Sequence, residues 1–458
     1  MEDMKNGKRS SFSGKLGYVL AAAGASVGLG NIWRFPYLAA KYGGGIFLII
    51  YIVLALTFGY TMIVAETAIG RMTRKSPVGA FKSFGKKKWL SFGGWINAVI
   101  PVLIVPYYSV IGGWVIKYLV EYFRGNAKQL AEDGYFTDFI SNGVSTELCF
   151  VAFCAFTLII IFAGVQNGIE RVSKIMMPIL IVLSVIIAVY SVTRPGALAG
   201  VKYFLVPNVK NFSWMTVVSA MGQMFYSLSI AMGILITFGS YMKKDTAIED
   251  STRNVEIFDT GIAIMAGLMI IPAVFAFSGG DPDTLQAGPS LMFITIPKVF
   301  QNMGFGTVIG IVFFLLVLFA AVTSSIALTE SAVSTFEDEL GWGRKKATVL
   351  VGVIMLALGS LSSLGYGPLA GIKIIGMQFL DLFDFLTNSV MMPIAALLTS
   401  LFVSRVVGID KIEEEIIHGE SAFRRKKVFV VMIKYLCPVF AIIILLSSVA
   451  NALGWIKM

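Results

Sequence analysis

The side chains in this chain that could do chemistry are few, and they stand in apolar surroundings. One histidine, His418, and three cysteines, Cys149, Cys154 and Cys437, without metal-type spacing, leave no imidazole centre, disulfide framework or nucleophile–base set. What remains is oxygen chemistry: Asn31, Glu66, Asp259, the run Thr323-Ser324-Ser325, Glu330, Asp338 and Asp384 lie in or beside long apolar stretches. Amides, hydroxyls and carboxylates without soft donors suit a hard monovalent cation, provided backbone carbonyls complete the shell. The blander readings are also open. A Thr/Ser run in a helix commonly bonds back to the preceding turn, and Glu330 or Asp338 near a membrane surface is explained equally well by snorkelling or structural pairing.

Such groups need elements that hold them in apolar surroundings, and the composition says which. The 458 residues are 57% hydrophobic and only 14% charged, with a mean hydropathy of +0.80, so most of the chain has lipid as its solvent. Met1 to Lys15 is polar and basic, and the apolar run after it is too long for a signal core. Apolar stretches long enough to span recur at Leu16–Ala40, Ile46–Ile69, Leu90–Val120, Leu148–Ala163, Ile175–Val192 and Met215–Tyr241. Five more follow at Val255–Phe277, Gly306–Thr335, Ala347–Leu364, Ile374–Val403 and Val428–Ala450. They lack barrel alternation, so the expected fold is an all-α membrane protein of eleven transmembrane helices. The net charge of +10 points to a membrane and not to nucleic acid, because roughly two-thirds of the basic residues fall in segments on the side of the N-terminus. By the positive-inside bias that side is cytoplasmic and the C-terminus is outside, in the plasma (inner) membrane of the cell. The chain then divides into a cytoplasmic tail (1–15), a first five-helix repeat (16–192), an extracellular connection (193–214) and a second repeat (215–403). A cytoplasmic loop (404–427) and an eleventh helix with a short external tail (428–458) complete it.

Two runs of five spans must insert upside down relative to each other, and inverted repeats place a binding site where corresponding helices break at mid-membrane. The first span contains Gly24-Ala25-Ser26-Val27-Gly28-Leu29-Gly30-Asn31 and the sixth Ser227-Leu228-Ser229-Ile230-Ala231-Met232-Gly233. Each is first in its half, and each interrupts its helix with small or polar residues. Close helix packing explains one such segment; two at matching positions predict broken helices 1 and 6.

Gly24 through Asn31, followed by Ile32-Trp33-Arg34-Phe35-Pro36-Tyr37, resembles the first-helix signature of the neurotransmitter:sodium symporters, the LeuT-fold transporters. The resemblance continues through Pro106-Tyr107-Tyr108, Gly222 to Ser229, Thr323 to Ala327 and Phe336 to Leu340, in order and over essentially the whole chain. Bacterial amino-acid members with eleven spans are the most similar. The resemblance implies a 5+5 inverted repeat, a sodium-coupled symporter and no enzyme, with two sodium ions flanking one substrate. Sodium site one would use the Ser26 carbonyl, Asn31, Ser227 and Asp259, the last replacing an amide. Site two would use carbonyls at Gly24, Val27 and Ala320 with hydroxyls at Thr323 and Ser324.

The substrate carboxylate would meet the first sodium, the helix start at Leu29-Gly30 and the Tyr108 phenol, and the amine would meet carbonyls at Ser26, Tyr226 and Ser227 and the Ser229 hydroxyl. Glycine at position 28, where monoamine members carry aspartate, implies an amino-acid substrate. The side-chain pocket would comprise Ile104, Tyr226, Met232 and Leu328, with Ala25 nearby and Ser324 also among the substrate contacts; its apolar lining disfavours polar substrates. Met232 replaces a phenylalanine of members preferring small aliphatic substrates, and an adaptable thioether favours aromatic, hydrophobic L-amino acids. The implied gates are Arg34 with Asp384 outside and Arg9 with Asp338 inside, the latter near Tyr241, with Phe12 at a position usually held by tryptophan. Gly168 and Pro178 resemble the fifth-helix motif whose unwinding hydrates the second sodium. No chloride requirement is expected, because Asp259 supplies a fixed negative charge one helical turn from Ala263, a common location of such a carboxylate. The alternative function is a non-transporting or facilitative amino-acid-binding membrane protein of the same fold; the oligomeric state is left open.

Overall fold

The computed structural model describes residues 10–279, 288–452 and Trp455. Among these residues nine helices are long and apolar enough to cross a bilayer, and a tenth span is a bent pair. The pair is α1 (Lys15–Ser26) and α2 (Gly30–Lys41), which meet at 54°. Then come α3 (Gly45–Thr73), α4 (Lys88–Phe123), α5 (Gly143–Phe162) and α6 (Val165–Val192). The segment expected as span six is two helices, α7 (Trp214–Ser227) and α8 (Ile234–Ser240), either side of non-helical residues 228–233. Counting that pair as one span is what separates ten from eleven. The rest are α9 (Ile248–Ser278), the shorter α10 (Leu291–Gln301), α11 (Gly306–Leu340), α12 (Arg344–Leu364), α13 (Phe379–Val407) and, on either side of a loop, the surface helix α14 (Ile409–Ile417) and the last span α15 (Lys426–Asn451).

Several helices outrun the apolar segments that announce them. Span four, expected to be short, is 20 residues long, and span five starts ten residues earlier than expected, at Val165. The reason is that backbone hydrogen bonding continues through polar turns at the membrane surface, which hydropathy does not register. The most buried spans are α4 and α11, and the least buried are α15, α5 and α6. A core of tightly packed helices thus sits inside a lipid-facing ring.

The two breaks face each other at the centre. In span one, α1 ends at Ser26 and the chain restarts at Gly30, freeing carbonyls at Gly24, Ala25 and Val27. In span six, Ser229 (φ 53°), Ala231 (φ 59°) and Gly233 (φ 68°) all lie in the left-handed region, which costs an L-residue with a Cβ roughly 1–2 kcal/mol. Two side chains hold that strained segment: Glu66 Oε1 accepts from the Ala231 N–H at 2.8 Å, and the Ser229 hydroxyl donates to the Ala25 carbonyl at 2.9 Å.

The segment between α13 and α15, expected as a loop over 404–427, carries α14 and binds back onto the helices. Fully buried Arg71 in α3 donates to Glu415 Oε1 at 2.7 Å. Glu420 Oε1 accepts the N–H groups of Glu249 and Asp250 in the first turn of α9, at 2.6 and 3.2 Å. Glu249 in turn accepts the N–H groups of Arg424 and Arg425 at the start of α15, at 2.8 and 2.9 Å. Two helix starts, each lacking a side-chain cap of its own, are capped from distant segments, α9 by the loop and α15 by α9.

Candidate functional site

At the junction of the two breaks lies a cavity of about 30 Å³. Its lining is Ala25, Ser26, Gly28, Leu29, Gly30 and Asn31 from the first break, Ile104 and Tyr108 from α4, Tyr226, Ser229 and Met232 from the second break, and Ser324 and Leu328 from α11. Of the twelve residues expected around a substrate, eleven meet here; Ser227 does not line the cavity and stands behind it. The lining divides by chemistry. Ile104, Met232 and Leu328 supply apolar surface, while Tyr108, Ser229 and Ser324 present hydroxyls beside the broken backbone. The Leu29 N–H donates to the Tyr108 phenol oxygen at 3.3 Å. A side chain at either of two glycines would displace its neighbours: a Cβ on Gly28 would sit 2.7 Å from Ser324 Oγ and 3.1 Å from the Tyr108 phenol, and one on Gly30 would sit 2.3 Å from the Tyr226 ring.

Behind this cavity is a buried polar group centred on Asp259. Its Oδ1 accepts from Asn31 Nδ2 and from Ser227 Oγ, both at 2.8 Å, and its Oδ2 accepts from the Tyr51 phenol at 3.1 Å. Asn31 also donates to Ser227 Oγ at 2.9 Å, while its own oxygen accepts from the Gly28 N–H at 3.2 Å. Asp259, Asn31 and Tyr51 are wholly buried, and one carboxylate gathers three donors. The sequence reading missed Tyr51. Its signal is a lone phenol in the otherwise aliphatic run Leu48 to Leu56. Gln223 was missed as well; it donates to the Gly30 carbonyl at 3.1 Å and ties the two breaks together.

A second group of oxygens meets on the other flank. The Ser324 hydroxyl lies 3.2 Å from the Gly24 carbonyl, 3.1 Å from that of Ala25 and 3.4 Å from that of Val27. Thr323 Oγ1 bonds the carbonyls of Phe319 and Ala320 at 3.0 and 3.2 Å. The back-bonding anticipated for a helical hydroxyl run is therefore what Thr323 does, whereas Ser324 reaches across to the broken helix. One hydroxyl proton serves three carbonyls there, which leaves acceptor capacity over for a cation.

Of the expected gates, the outer one differs in geometry. No ion pair within 4 Å joins Arg34 to Asp384 among the described residues. Arg34 lies over the Tyr226 ring at 5.3 Å, and Asp384 accepts from Asn388 Nδ2 at 2.5 Å and the Tyr107 phenol at 3.3 Å. The physical reason is space: both residues line a vestibule of about 490 Å³ that reaches Tyr226, so they face across it. Tyr226 lines both the vestibule and the inner cavity. At the opposite end, Arg9 lies outside the described residues. Asp338 accepts the Ser76 N–H at 2.6 Å. The Tyr241 phenol donates to Glu330 at 2.7 Å, and Glu330 is gripped by Arg344 through two bonds of 3.0 and 2.6 Å. Glu330 is thus a paired, wholly buried carboxylate, and Arg344 is its unforeseen partner. Phe12, buried at this end, meets the rings of Tyr18, Phe238 and Tyr241 edge-on at 5.6–6.0 Å and so fills a plug. Beside it Glu170 accepts the Ser13 N–H at 2.8 Å, clasping the N-terminal segment to α6.

Comparison with known proteins agrees with this arrangement. A family model described as the sodium:neurotransmitter symporter family matches residues 9–133 and 120–455. An uncharacterized sodium-dependent transporter of Bacillus subtilis is 34% identical over 97% of this chain and 99% of its own length. The human sodium- and chloride-dependent GABA transporter 2 is 26% identical over 89% of the chain and 75% of its own. The crystal structure of MhsT in complex with L-phenylalanine superimposes with a TM-score of 0.86 at 35% identity, covering 96% of this chain and 100% of that one. The paired helix breaks, the oxygen groups on either side of them and these matches lead to one conclusion: the chain belongs to the sodium:neurotransmitter symporter family, sodium-coupled multi-pass membrane transporters with the LeuT fold and not enzymes.

Proposed function

We propose that this transporter imports hydrophobic L-amino acids, aromatic ones above all, together with two sodium ions and without chloride. The observation that carries the reading is the cavity at the two breaks, with backbone ends and hydroxyls on one side and Ile104, Met232 and Leu328 on the other. A zwitterion's carboxylate belongs at the Leu29-Gly30 end, where a helix start and the Tyr108 phenol supply donors. Its ammonium belongs at the carbonyl-rich side near Ser26, Tyr226 and Ser227, with the Ser229 hydroxyl. Glycine at 28 leaves no fixed acid to hold a bare amine. Binding a ring requires the small cavity to widen, and Met232 and Tyr226 are the walls able to yield: an unbranched thioether repacks easily, and Tyr226 borders the vestibule. The phenylalanine held by MhsT is in keeping with that choice.

Sodium at site one would replace the protons now directed at Asp259, with Asn31 turning its amide oxygen inward and Ser227 offering lone pairs. Sodium at site two would take up the acceptor capacity around Thr323, Ser324 and the carbonyls of Gly24, Val27 and Ala320. The vestibule leading to Tyr226 and the plugged opposite end correspond to an outward-facing state, with the N-terminus in the cytoplasm of a cell whose plasma membrane holds the protein. Closure over the substrate brings Arg34 and Asp384 together; release inward requires the Phe12 plug and the Tyr241–Glu330 bond to part. The test is uptake into proteoliposomes under an imposed sodium gradient, across the twenty amino acids. Sodium-driven accumulation of phenylalanine, tryptophan, tyrosine or leucine is the expected result. Binding without accumulation would favour a non-transporting relative, and accumulation of charged amino acids alone would overturn the assignment.

A further inference from the structure

We infer that the loop between α3 and α4, with the end of α13 and the start of α14, forms a docking site for an anionic phospholipid headgroup in the leaflet on the N-terminal side. This rests on the cytoplasmic orientation proposed above. Besides Arg344-Lys345-Lys346, whose arginine grips Glu330, two basic runs border spans on that face, and the structure uses them differently. In Arg424-Arg425-Lys426-Lys427, Arg425 pairs with Glu256 at 3.4 Å and Lys426 with Glu413 at 2.5 Å. In Lys86-Lys87-Lys88, all three side chains are exposed and none has an ion-pair partner among the described residues. Internal acids engage the first run and leave the second for something outside the fold. The second run does nothing for the helix it precedes, because cations at a helix start oppose its dipole.

Further cations join it from another part of the chain. The Lys411 ammonium lies 5.7 Å from the centre of the Phe84 ring. Phe84 packs edge-on against Phe402 at 5.5 Å, and Arg405 follows one turn later, exposed and without an ion-pair partner among the described residues. The acidic residues nearest in sequence to Lys411 are Asp410 and Glu414, both exposed, and Glu413, which pairs with Lys426; Glu339 pairs with Lys82 at 2.6 Å. Positive charge therefore remains in excess.

The occupant is a lipid and not a soluble anion because of what lies along α4. Phe92 is 56% exposed and Trp95 39% exposed, about 6 and 10 Å along the helix from Lys88. Lysines at headgroup level above aromatic rings at the depth of the acyl boundary match a phosphate with its chains attached.

The full-length protein in detergent, incubated with phosphatidylglycerol or phosphatidylcholine, tests this by native mass spectrometry of the lipid retained. Wild type should prefer phosphatidylglycerol by about tenfold. The variant K86Q/K87Q/K88Q/K411Q should fall to parity, and the matching lysine-to-arginine variant should keep the preference. The variant R171Q/K345Q/K346Q/K427Q, which removes equal charge from the same face, should also keep it. Retained preference in the first variant, or equal loss in the last, would overturn the site. Displacement of the lipid by excess inorganic phosphate would replace it with a soluble-anion site. Failure of sodium-driven uptake in wild type would count against the transport reading and leave the lipid result standing.

Discussion

Substituting Asp259 by asparagine tests the link between the buried carboxylate and chloride independence. Two sodium ions and a zwitterionic substrate bring a charge of +2 into the membrane, and an ionised Asp259 reduces it to +1. The carboxylate already gathers three donors within 3.1 Å, so a cation in the same cluster lies within about 4 Å of its charge. At an effective dielectric of about 20 the attraction is roughly 4 kcal/mol. An amide keeps part of that through its carbonyl dipole, and a net loss of about 2–3 kcal/mol corresponds to roughly a hundredfold in sodium affinity. The assay is sodium titration of labelled-phenylalanine binding, in chloride and in gluconate. Wild type should give the same curve in both media. Asp259→Asn should require roughly a hundredfold more sodium in gluconate and recover part of that in chloride, which can enter as the missing charge. Strong chloride dependence in wild type, or an unshifted curve for the mutant in gluconate, would refute the reasoning.

Three further tests bear on the rest of the machinery. Thr323→Ala with Ser324→Ala removes two hydroxyls and leaves carbonyls at Gly24, Ala25 and Val27 without their shared donor; concentrative uptake should disappear, and undiminished accumulation in sodium-free medium would contradict a second cation site. Met232→Phe should weaken tryptophan and tyrosine binding more than leucine binding, because a rigid ring removes volume that a thioether yields; an unchanged affinity ratio in competition binding would exclude Met232 as the adaptable wall. Arg344→Gln strands the Glu330 carboxylate and should destabilise the protein by about 3–5 kcal/mol, with Glu330→Gln added to it restoring much of the loss; thermal unfolding of the single and double variants decides.

The helix breaks were readable because glycine and serine gathered at matching positions in two apolar spans, a pattern that does not depend on distant partners. The left-handed turns within the second break were not readable. Ser229 and Ala231 carry a Cβ that disfavours that conformation, and what holds them, Glu66 and the Ala25 carbonyl, comes from other spans. Glu330 shows the same limit. From the sequence, snorkelling and pairing explained it equally well, and the choice depends on Arg344, which belongs to the next helix. Most of the cavity lining was foreseen through its resemblance to known motifs. Tyr51 was not, since a tyrosine in an apolar run also reads as packing. The resemblance implied Arg34 and Asp384 as an outer pair; they line one vestibule without an ion pair between them, and residue types do not encode that separation.

The capping of α9 by the loop residue Glu420 has a consequence for how the chain is made. The first turn of α9 is complete in sequence by Asp250, but two of its N–H groups find their acceptor only when Glu420 arrives. Throughout the synthesis of the intervening residues that helix start is left to water. A chain stopped anywhere before Glu420 therefore lacks more than its last span: the inner end of the helix that carries Asp259 frays in it. Truncations intended to trim the C-terminus should be recognised by quality-control proteases through cleavage near residues 245–250, far from the new end. Arrival of the loop before the last helix is in this sense a checkpoint for the centre of the molecule.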